Sequence, residues 1–343
     1  MNIVITGGAG FLGARLARQL LDQGQLSLAG ASPQAIRTIT LVDRAAPPDT
    51  LAADPRIRAV VGDLNQLLEH ESSDPAARVV RADDALVFHL AAAVSGECEA
   101  DFDLGMRSNV DATRALLQAC RKLGTSPTVV FASSLAVFGN SPEQPLPPVI
   151  DDRTLPTPQN SYGIQKFIGE QLVADYARKG FIRGRNVRLM TVSVRPGKPN
   201  GAASSFLSGM IREPLAGQRA VCPVPPETAV ALSSPARTIE GLIRAAEAGD
   251  AQWGARTAIN LPALKTTVGE MAAALERAAG KQTSGLIAWT PDPAVARIVT
   301  SWPADIDAAR ARGLGLLPDR DFDSIIAAYL SENPRTMPHT ATQ

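Results

Sequence analysis

Short apolar runs alternate with segments of helical periodicity over the first half of the chain. Six strands are predicted, at 2–6, 38–42, 59–61, 85–90, 128–132 and 187–194. Between them, apolar residues three or four positions apart predict helices, of which the first ends before Gly24 and two long ones cover 101–122 and 161–178. Strands that alternate with helices are typical of parallel βαβ units, and several of these strands are apolar throughout. The pattern therefore predicts an α/β fold with a doubly wound parallel sheet.

The character of the sequence changes after Arg195, where prolines and glycines interrupt the chain up to Pro226. Helical periodicity returns later, at 237–248, 268–279 and 305–313. Such a change indicates that a second, smaller unit follows the parallel sheet.

We therefore expect two domains and a tail. Residues 1–195 form the first domain. Residues 196–332 mainly form a smaller C-terminal lobe, which can also contribute elements back to the first domain. Residues 333–343 are polar and contain proline, which predicts a flexible tail.

The charges of the chain balance, with 34 basic and 34 acidic residues. This balance offers no case for a nucleic-acid partner or an anionic membrane surface. Cys98, Cys120 and Cys222 are scattered and odd in number, which argues against disulfides or a zinc site and fits a reducing cytoplasm. No apolar run approaches the roughly 18 residues that span a bilayer. We expect a cytoplasmic protein with no metal site, no nucleic-acid partner and no membrane anchor.

A glycine-rich loop follows the first predicted strand and opens the first predicted helix. Its pattern, Gly8-x-Gly10-x-x-Gly13, has the spacing and context of a dinucleotide-binding loop. The glycines permit a tight turn and let backbone N–H groups and the helix N-terminus approach a pyrophosphate. A glycine-rich turn without function is the alternative. The loop residues expected to contact the cofactor are Gly7, Gly10, Phe11 and Leu12.

Two aspartates follow the second and third predicted strands. Asp43 is placed to hold the adenosine ribose hydroxyls, although an inserted loop at 25–37 separates it from the glycine loop by more than the usual spacing. A carboxylate there repels a ribose 2′-phosphate, which favours NAD over NADP, and the neighbouring Arg44 offsets part of that repulsion. Asp63 is placed to meet the adenine amino group, to cap the helix that Leu64 begins, or both. We expect Asp43, Asp63 and Leu64 to contact the cofactor.

The fourth predicted strand leads into small residues, including Ala91, which let a cofactor ribose pass close to the backbone. His89 precedes them, and we interpret it as a packing or hydrogen-bonding residue because nothing places another histidine beside it. Asn109, on the predicted helix 101–122, is a further candidate for the cofactor site, where it would hold a proton-relay water. A buried structural amide is the alternative for Asn109.

Tyr162 and Lys166 lie one helical turn apart, and Ser134 precedes them at the end of the fifth strand. Oxidation of an alcohol requires a base for the hydroxyl proton, and tyrosine has a pKa of about 10, which is high for that task. A lysine ammonium at i+4 shares the helix face and favours the phenolate. We assign Tyr162 as general base, Lys166 as its electrostatic modulator and a contact of the nicotinamide ribose, and Ser134 as the hydroxyl that orients the substrate. A solvated helix face is the alternative for the pair.

In this order the motifs resemble those of the extended short-chain dehydrogenase/reductase family. The residues that carry the resemblance are the glycine loop, Asp43, Asp63-Leu64, the run from His89 to Ala92, the run from Ser133 to Gly139, and Tyr162-x-x-x-Lys166. Phe138 departs from the pattern, since many members have tyrosine there, but that position is outside the catalytic set. The resemblance implies a Rossmann-like core, an NAD cofactor and a small C-terminal substrate domain.

The same resemblance implies a homodimer. The two longest predicted helices would pair with their symmetry mates in a four-helix bundle. Leu116, Leu117, Ile168 and Leu172 are apolar enough to contribute to that packing, although some of them must face their own sheet.

Later segments resemble one branch of that family, the D-erythronate dehydrogenases. These segments run from Ser193 to Asn200, from Ala202 to Phe206 and from Ile211 to Leu215, with Trp302-Pro303 and the run from Phe322 to Ile326. Ser134 is followed by Leu135-Ala136 rather than by the Asp-Glu pair of the dehydratases. The resemblance implies NAD-dependent oxidation of a small sugar acid, first D-erythronate to 2-dehydro-D-erythronate. A nucleotide-sugar 4-epimerase, a uronate dehydrogenase and a non-catalytic dinucleotide sensor are the alternatives.

A small sugar acid needs a cation for its carboxylate, and arginine presents a bidentate fork for it. Arg212 is the first choice, because the loop before it carries small and hydroxyl residues, and a surface ion pair is its alternative. The residues expected to contact the substrate, besides Ser134 and Tyr162, are Ser95, Asn200, Ser204 and Arg212.

Overall fold

A seven-stranded parallel sheet lies at the centre of the protein, whose computed structural model describes residues 1–70, 72–74 and 77–334. In chain order its strands are β1 Asn2–Thr6, β2 Thr38–Asp43, β3 Ile57–Val61, β4 Asp84–His89, β5 Thr128–Ser134, β6 Arg183–Leu189 and β7 Ile259–Asn260. Their order across the sheet is β7-β6-β5-β4-β1-β2-β3. In sheets with such an order, ligands bind at the carboxyl ends of the strands where the order reverses, here beside β1 and β4.

Helices cover both faces of the sheet, because its strands are apolar on both sides. Phe11–Gln23 and Pro235–Glu247 pack on one face, where Leu242 is fully buried. Ala112–Leu123 and Ser161–Arg178 pack on the other. The prediction of an α/β fold with a doubly wound parallel sheet is confirmed.

Element boundaries differ from the predictions where tertiary contacts decide them. The sixth strand ends at Leu189, and Thr191–Val192 joins a separate three-stranded sheet with Ala229–Ser233 and Leu264–Thr267. The edge strand β7 has two residues, too few to show a period. Helix Ser161–Arg178 has the predicted bounds.

The other long helix is not continuous as predicted. It divides into Phe102–Gly105, a π-helical stretch Met106–Asp111 and Ala112–Leu123. A π-helical stretch adds a residue to the turn, so the side chains before and after it face directions that a single α-helix would not give.

A second hydrophobic core lies in the C-terminal lobe. Helices that pack around it include Phe206–Leu215, Val268–Ala279 and Phe322–Glu332, and Met210 and Met271 lie fully buried between them. The first and the last of these helices were not predicted, because their apolar residues lie among prolines or near the chain end.

Parts of the lobe return to the first domain, as the sequence allowed. Pro235–Glu247 covers one face of the sheet, and β7 pairs with β6 at its edge. The proposed boundary after Arg195 therefore separates two stretches of sequence, while the core around the sheet uses residues from both.

The remaining elements are short. The α-helices among them are Asp49–Ala52, Leu64–Glu69, Ser95–Ala100, Asp250–Trp253, Lys281–Ser284, Pro293–Ser301 and Ala309–Gly313; the 3-10 helices are Leu28–Gly30 and Leu135–Val137; the strands are Gln25–Leu26, Gln34–Ala35, Ala220–Cys222 and Ile287–Trp289. Two of these strands form a hairpin within the segment 25–37 that was predicted as a loop. Residues 335–343 of the predicted tail lie outside the described residues. Within the described ranges, no helix is long and apolar enough to cross a membrane.

Candidate active site

A cleft of about 530 Å³ opens at the carboxyl ends of β1, β4 and β5 and extends to the lobe. The glycine loop lines one end and the tyrosine–lysine pair lines the other. Most of the residues that the sequence nominated meet in this lining. They are Gly7, Gly10, Phe11, Leu12, Asp43, Asp63, Leu64, Ala91, Ser95, Ser134, Tyr162, Lys166, Asn200 and Ser204.

The glycine loop is too closely packed to accept side chains. Gly7 has a φ of +71°, which favours glycine, and a β-carbon on it would lie 2.9 Å from the backbone nitrogen of Ala91. A β-carbon on Gly13 would collide with the carbonyl oxygen of Gly7. The loop leads into Phe11–Gln23, whose first N–H groups have no partner within the helix. This backbone cradle fits a dinucleotide pyrophosphate.

Two carboxylates line the same end of the cleft. Asp43 is fixed by backbone N–H groups, since its Oδ2 accepts from Ala9 at 3.0 Å and its Oδ1 accepts from Ala45 at 3.2 Å. The Oδ2 of Asp63 accepts hydrogen bonds from the Arg44 guanidinium, with Nη2 at 2.6 Å. The Oδ1 of Asp63 caps the following helix, which is one of the two roles predicted for this residue. Both carboxylates are therefore held in place before any ligand binds.

His89, at the end of β4, is a structural group. Its Nδ1 lies 2.7 Å from the Thr6 hydroxyl and its Nε2 lies 2.9 Å from the Thr113 hydroxyl. Because the Thr113 hydroxyl donates its proton to the carbonyl of Asn109, Nε2–H must donate to Thr113. Burial lowers the pKa of His89 to about 3, so the ring is neutral. These contacts agree with the packing interpretation.

The amide of Asn109 faces the protein interior rather than the cleft. It is 2% exposed, its Oδ1 accepts the Ala93 N–H at 2.8 Å, and its Nδ2 donates to Gln165 Oε1 at 2.8 Å. The same Nδ2 also donates to the Ala93 carbonyl at 3.2 Å. Because the amide is engaged on both sides, the geometry favours the structural alternative over the proton-relay water. Asn109 ties the segment after β4 to helix Ser161–Arg178.

Ser134, Tyr162 and Lys166 meet at the other end of the cleft. Lys166 is 3% exposed, and its Nζ donates to the carbonyl of Ala132 at 2.9 Å. The same Nζ lies 5.7 Å from the centre of the Tyr162 ring. Ser134 acts on Tyr162 by lowering the pKa of its phenol, and both residues line the cleft. The hydroxyl, the phenol and the ammonium are thus neighbours, as the sequence predicted.

The environment shifts both titrating groups away from their ordinary values. Burial raises the pKa of Tyr162 to about 12, and the positive charge of Arg195 opposes that rise. Burial lowers the pKa of Lys166 to about 8, and the nearby Cys98 and Glu170 oppose that fall. Arg195 is therefore a cation that favours the phenolate of Tyr162. The sequence analysis did not identify it as a site residue.

A buried ion pair lies behind these three residues. Glu170, one turn after Lys166 on the same helix, accepts the Nε and Nη2 of Arg188, both at 2.8 Å. The Ser133 hydroxyl donates to the same carboxylate at 2.5 Å. Glu170 and Arg188 are 2% and 4% exposed. This network joins the helix to β5 and β6 next to Ser134.

Arg212 does not line the cleft, contrary to the expectation. Its Nη1 donates to the Arg195 carbonyl at 2.8 Å and its Nη2 pairs with Glu213 Oε1 at 2.5 Å. The helix that carries Arg212, Phe206–Leu215, packs into the core of the lobe, which turns this side chain toward the loop backbone. Arg212 therefore supports the backbone at Arg195.

Arg195 lines the cleft in its place. Within the described ranges its guanidinium has no carboxylate within ion-pair distance, whereas Arg212 and Arg188 each have one. Burial and then the charge of Arg212 lower the pKa of Arg195, which remains a cation. A half-buried cation in a cleft without a counter-ion is suited to bind an anion.

Ser95, Asn200 and Ser204, which were predicted to contact the substrate, line the cleft, and the side chains of the first two also hold its wall together. Ser95 Oγ accepts the Ala203 N–H at 3.0 Å, which docks the loop onto helix Ser95–Ala100. Asn200 Oδ1 accepts the Ala202 N–H at 3.2 Å. Ser204 lies in the same loop.

Sequence reasoning missed Arg195, Glu170 and Arg188. Glu170 carried a usable signal, because it continues the i, i+4 series of Tyr162 and Lys166. The two arginines carried none, since their roles depend on which side chains the fold places opposite them.

Comparisons with known proteins agree with this geometry. Residues 3–230 match the model of the NAD dependent epimerase/dehydratase family. The D-erythronate dehydrogenase of Cupriavidus necator is 50% identical over 97% of this chain and 98% of its own length. The D-erythronate dehydrogenase of Haemophilus influenzae is 40% identical over 96% of this chain and 99% of its own length. A structure described as a nucleoside-diphosphate-sugar epimerase of Agrobacterium tumefaciens has a TM-score of 0.84 and 39% identity, and the match covers 98% of this chain and 95% of that one.

Proposed function

Because the chain belongs to the NAD dependent epimerase/dehydratase family, we propose that it is an NAD-dependent dehydrogenase of a small sugar acid. D-erythronate is the first candidate substrate and 2-dehydro-D-erythronate is its product. The two relatives named D-erythronate dehydrogenase, which match nearly the whole chain, support this choice. The observation that carries the proposal is Arg195, which lines the cleft beside Tyr162 and has no carboxylate partner among the residues that the structure describes.

The residues at the glycine-loop end of the cleft fit NAD, which when bound accepts a hydride from the substrate carbon. Backbone groups of the glycine loop, from Gly7 to Leu12, hold the pyrophosphate. Asp43 accepts hydrogen bonds from the adenosine ribose, and Asp63, Leu64 and Ala91 line the walls around the cofactor.

At the other end, Tyr162 removes the proton of the substrate hydroxyl. Ser134 donates a hydrogen bond to the same substrate oxygen and fixes its position. Because burial opposes formation of the phenolate, Tyr162 depends on nearby positive charge. Arg195 and Lys166 supply that charge, and Lys166 also holds the nicotinamide ribose.

Arg195 binds the substrate carboxylate. Its planar fork matches a carboxylate in two parallel hydrogen bonds, and the partly desolvated cleft strengthens them. The same contact places the substrate next to the Tyr162 phenol. Ser95, Asn200 and Ser204 line the wall that faces the remaining hydroxyl groups.

The test compares kcat/KM for D-erythronate and for its neutral lactone or polyol analogue. Arg195→Ala is expected to lower kcat/KM for both substrates, because Tyr162 loses a nearby positive charge. The loss for the acid is expected to be larger than that for the neutral analogue by the equivalent of about 2–5 kcal/mol, because only the acid also loses its ion pair. Arg195→Lys recovers part of the loss, because an ammonium lacks the fork. Arg212→Ala, which loosens the loop, is the matched control and lowers both values together. Equal losses for acid and neutral substrates in Arg195→Ala would place the anion site elsewhere.

A nucleotide-sugar 4-epimerase is the second candidate, because one similar structure is described as a nucleoside-diphosphate-sugar epimerase. It would use the same three side chains and return the hydride to the sugar. Accumulation of NADH with a free sugar acid supports the dehydrogenase, and uronates in the same assay test a uronate dehydrogenase. Conversion of a nucleotide sugar without net NADH would support the epimerase.

We propose further that the enzyme acts in the cytoplasm as a homodimer. Three buried free cysteines are compatible with a reducing compartment. Leu116 and Leu117 are buried in the core of their own chain, so they are not available to a dimer interface. Ile168 and Leu172 are only partly buried and remain candidates, although Leu172 also packs against the core of its own chain. Light scattering that gives the 36.0 kDa mass of one chain would contradict the dimer.

A further inference from the structure

Arg44 occupies a position that bears on the choice between NAD and NADP. It follows Asp43 directly, at the end of β2, where a nearby arginine in dinucleotide-binding folds accommodates the 2′-phosphate of NADP. Its side chain lines the cleft and is 64% exposed. An arginine so placed would weaken the preference for NAD that Asp43 creates.

The guanidinium of Arg44 is already engaged. Its Nε and Nη2 lie 3.1 and 2.6 Å from the same oxygen, Oδ2 of Asp63. The other oxygen, Oδ1, accepts the N–H groups of Asn65 at 3.0 Å and Gln66 at 3.4 Å. Because these backbone bonds anchor the carboxylate at the start of Leu64–Glu69, Asp63 is a fixed partner that draws Arg44 to itself.

We propose that Asp63 is a specificity-determining residue, which keeps the enzyme selective for NAD by holding Arg44 in this ion pair. Asp43 disfavours a 2′-phosphate by direct repulsion, and Asp63 disfavours it by competing for the only neighbouring arginine that the described part of this wall presents. The inference rests on the NAD site of the proposed function but not on the identity of the substrate.

The size of the effect follows from exposure. Arginine–carboxylate pairs at the surface are weak, so release of Arg44 is expected to change selectivity by about two- to fivefold. Asp43 limits the gain, because its carboxylate remains in place and continues to repel the phosphate.

The experiment measures binding of ADP-ribose and 2′-phospho-ADP-ribose by calorimetry to the full chain, with no substrate present. Asp63→Asn keeps a side-chain oxygen that caps the helix but removes the charge that holds Arg44. We expect it to raise the affinity ratio of the phosphorylated to the unphosphorylated ligand by about two- to fivefold. The ratio cancels any contact of Asp63 with adenine, because both ligands carry that base. Asp63→Ser, also a good cap, provides a second variant of the same kind.

Arg44→Gln supplies the decisive control. In the double variant of Asp63→Asn with Arg44→Gln, the gain must disappear. Asp54→Asn removes the same charge from an ion pair with Arg56 and should leave the ratio unchanged. An unchanged ratio in Asp63→Asn overturns the inference, as does a gain that survives Arg44→Gln or appears in Asp54→Asn. Because these measurements need no turnover, a wrong choice of substrate does not affect them. If the unaltered protein bound neither ligand, that result would count against the NAD site itself.

Discussion

One arginine–carboxylate pair lines the glycine-loop end of the cleft and another lies behind the catalytic residues at its other end, and the two pairs differ mainly in burial. Arg44 and Asp63 meet at 2.6 Å, with side chains 64% and 27% exposed. Arg188 and Glu170 meet at 2.8 Å, with side chains 5% and 2% exposed. The separations are similar, but water surrounds only the first pair.

This difference separates a contact that tunes binding from one that sets geometry. An exposed pair contributes at most about 1 kcal/mol, because water solvates either partner when they part. A buried pair need not stabilise the fold relative to apolar residues, but removal of one partner leaves an uncompensated charge in the interior. The pair of Arg44 and Asp63 can therefore be altered without harm to the fold. The pair of Glu170 and Arg188 belongs to a buried network behind the catalytic residues, which tolerates little change.

The largest expected effect tests the buried pair. Glu170→Leu should lower the free energy of unfolding by about 3–5 kcal/mol, because Arg188 is left buried and unpaired. Asp63→Asn, at the exposed pair, should lower it by less than about 1 kcal/mol. Urea denaturation of the ligand-free protein measures both.

The double variant Glu170→Leu with Arg188→Met should recover most of that loss, since no buried charge remains. If Glu170→Leu and Asp63→Asn proved equally mild, burial would not be what distinguishes the two pairs.

The next effect separates chemistry from cofactor binding at the buried end. Tyr162→Phe should reduce kcat at least about 100-fold, because it removes the proton acceptor, while the Kd for NADH stays nearly constant. Tyr176→Phe, on the same helix, removes a hydroxyl that donates to Gln118 and should leave kcat unchanged. Near-normal turnover of Tyr162→Phe would exclude the assigned base.

A smaller effect concerns the cost of the Lys166 charge. Burial lowers the pKa of Lys166 to about 8 in the folded protein, below its ordinary 10.5. Between these two values the unfolded chain binds more protons than the folded one, so stability rises with pH. The stability of the unaltered protein relative to Lys166→Met should therefore increase from pH 7 to pH 9.5, by on the order of 2 kcal/mol.

Urea denaturation of both ligand-free proteins at several pH values checks this. A stability difference that does not vary with pH would mean that the Lys166 ammonium is well solvated. The difference in burial between the two ends of the cleft would then be smaller than described.

The sequence by itself determined the parts of this protein that depend on local pattern. The alternation of strands and helices specified the sheet, because residues that face a common core must recur with the period of their own element. The glycine loop and the pair of Tyr162 and Lys166 were found because spacing along one loop or one helix face translates directly into position. Asp43 was found because it ends the second strand.

Only the tertiary structure decided which charges meet. It paired Arg212 with Glu213 and left Arg195 facing the cleft, and it turned Asn109 into a buried tie between segments. It also placed Asp63 opposite Arg44. The physical reason is that the role of a charged or amide side chain depends on the partners and the burial that other elements give it, and those elements lie far away in the sequence. Periodicity records which side of an element is apolar, but it does not record what lies across from a polar group.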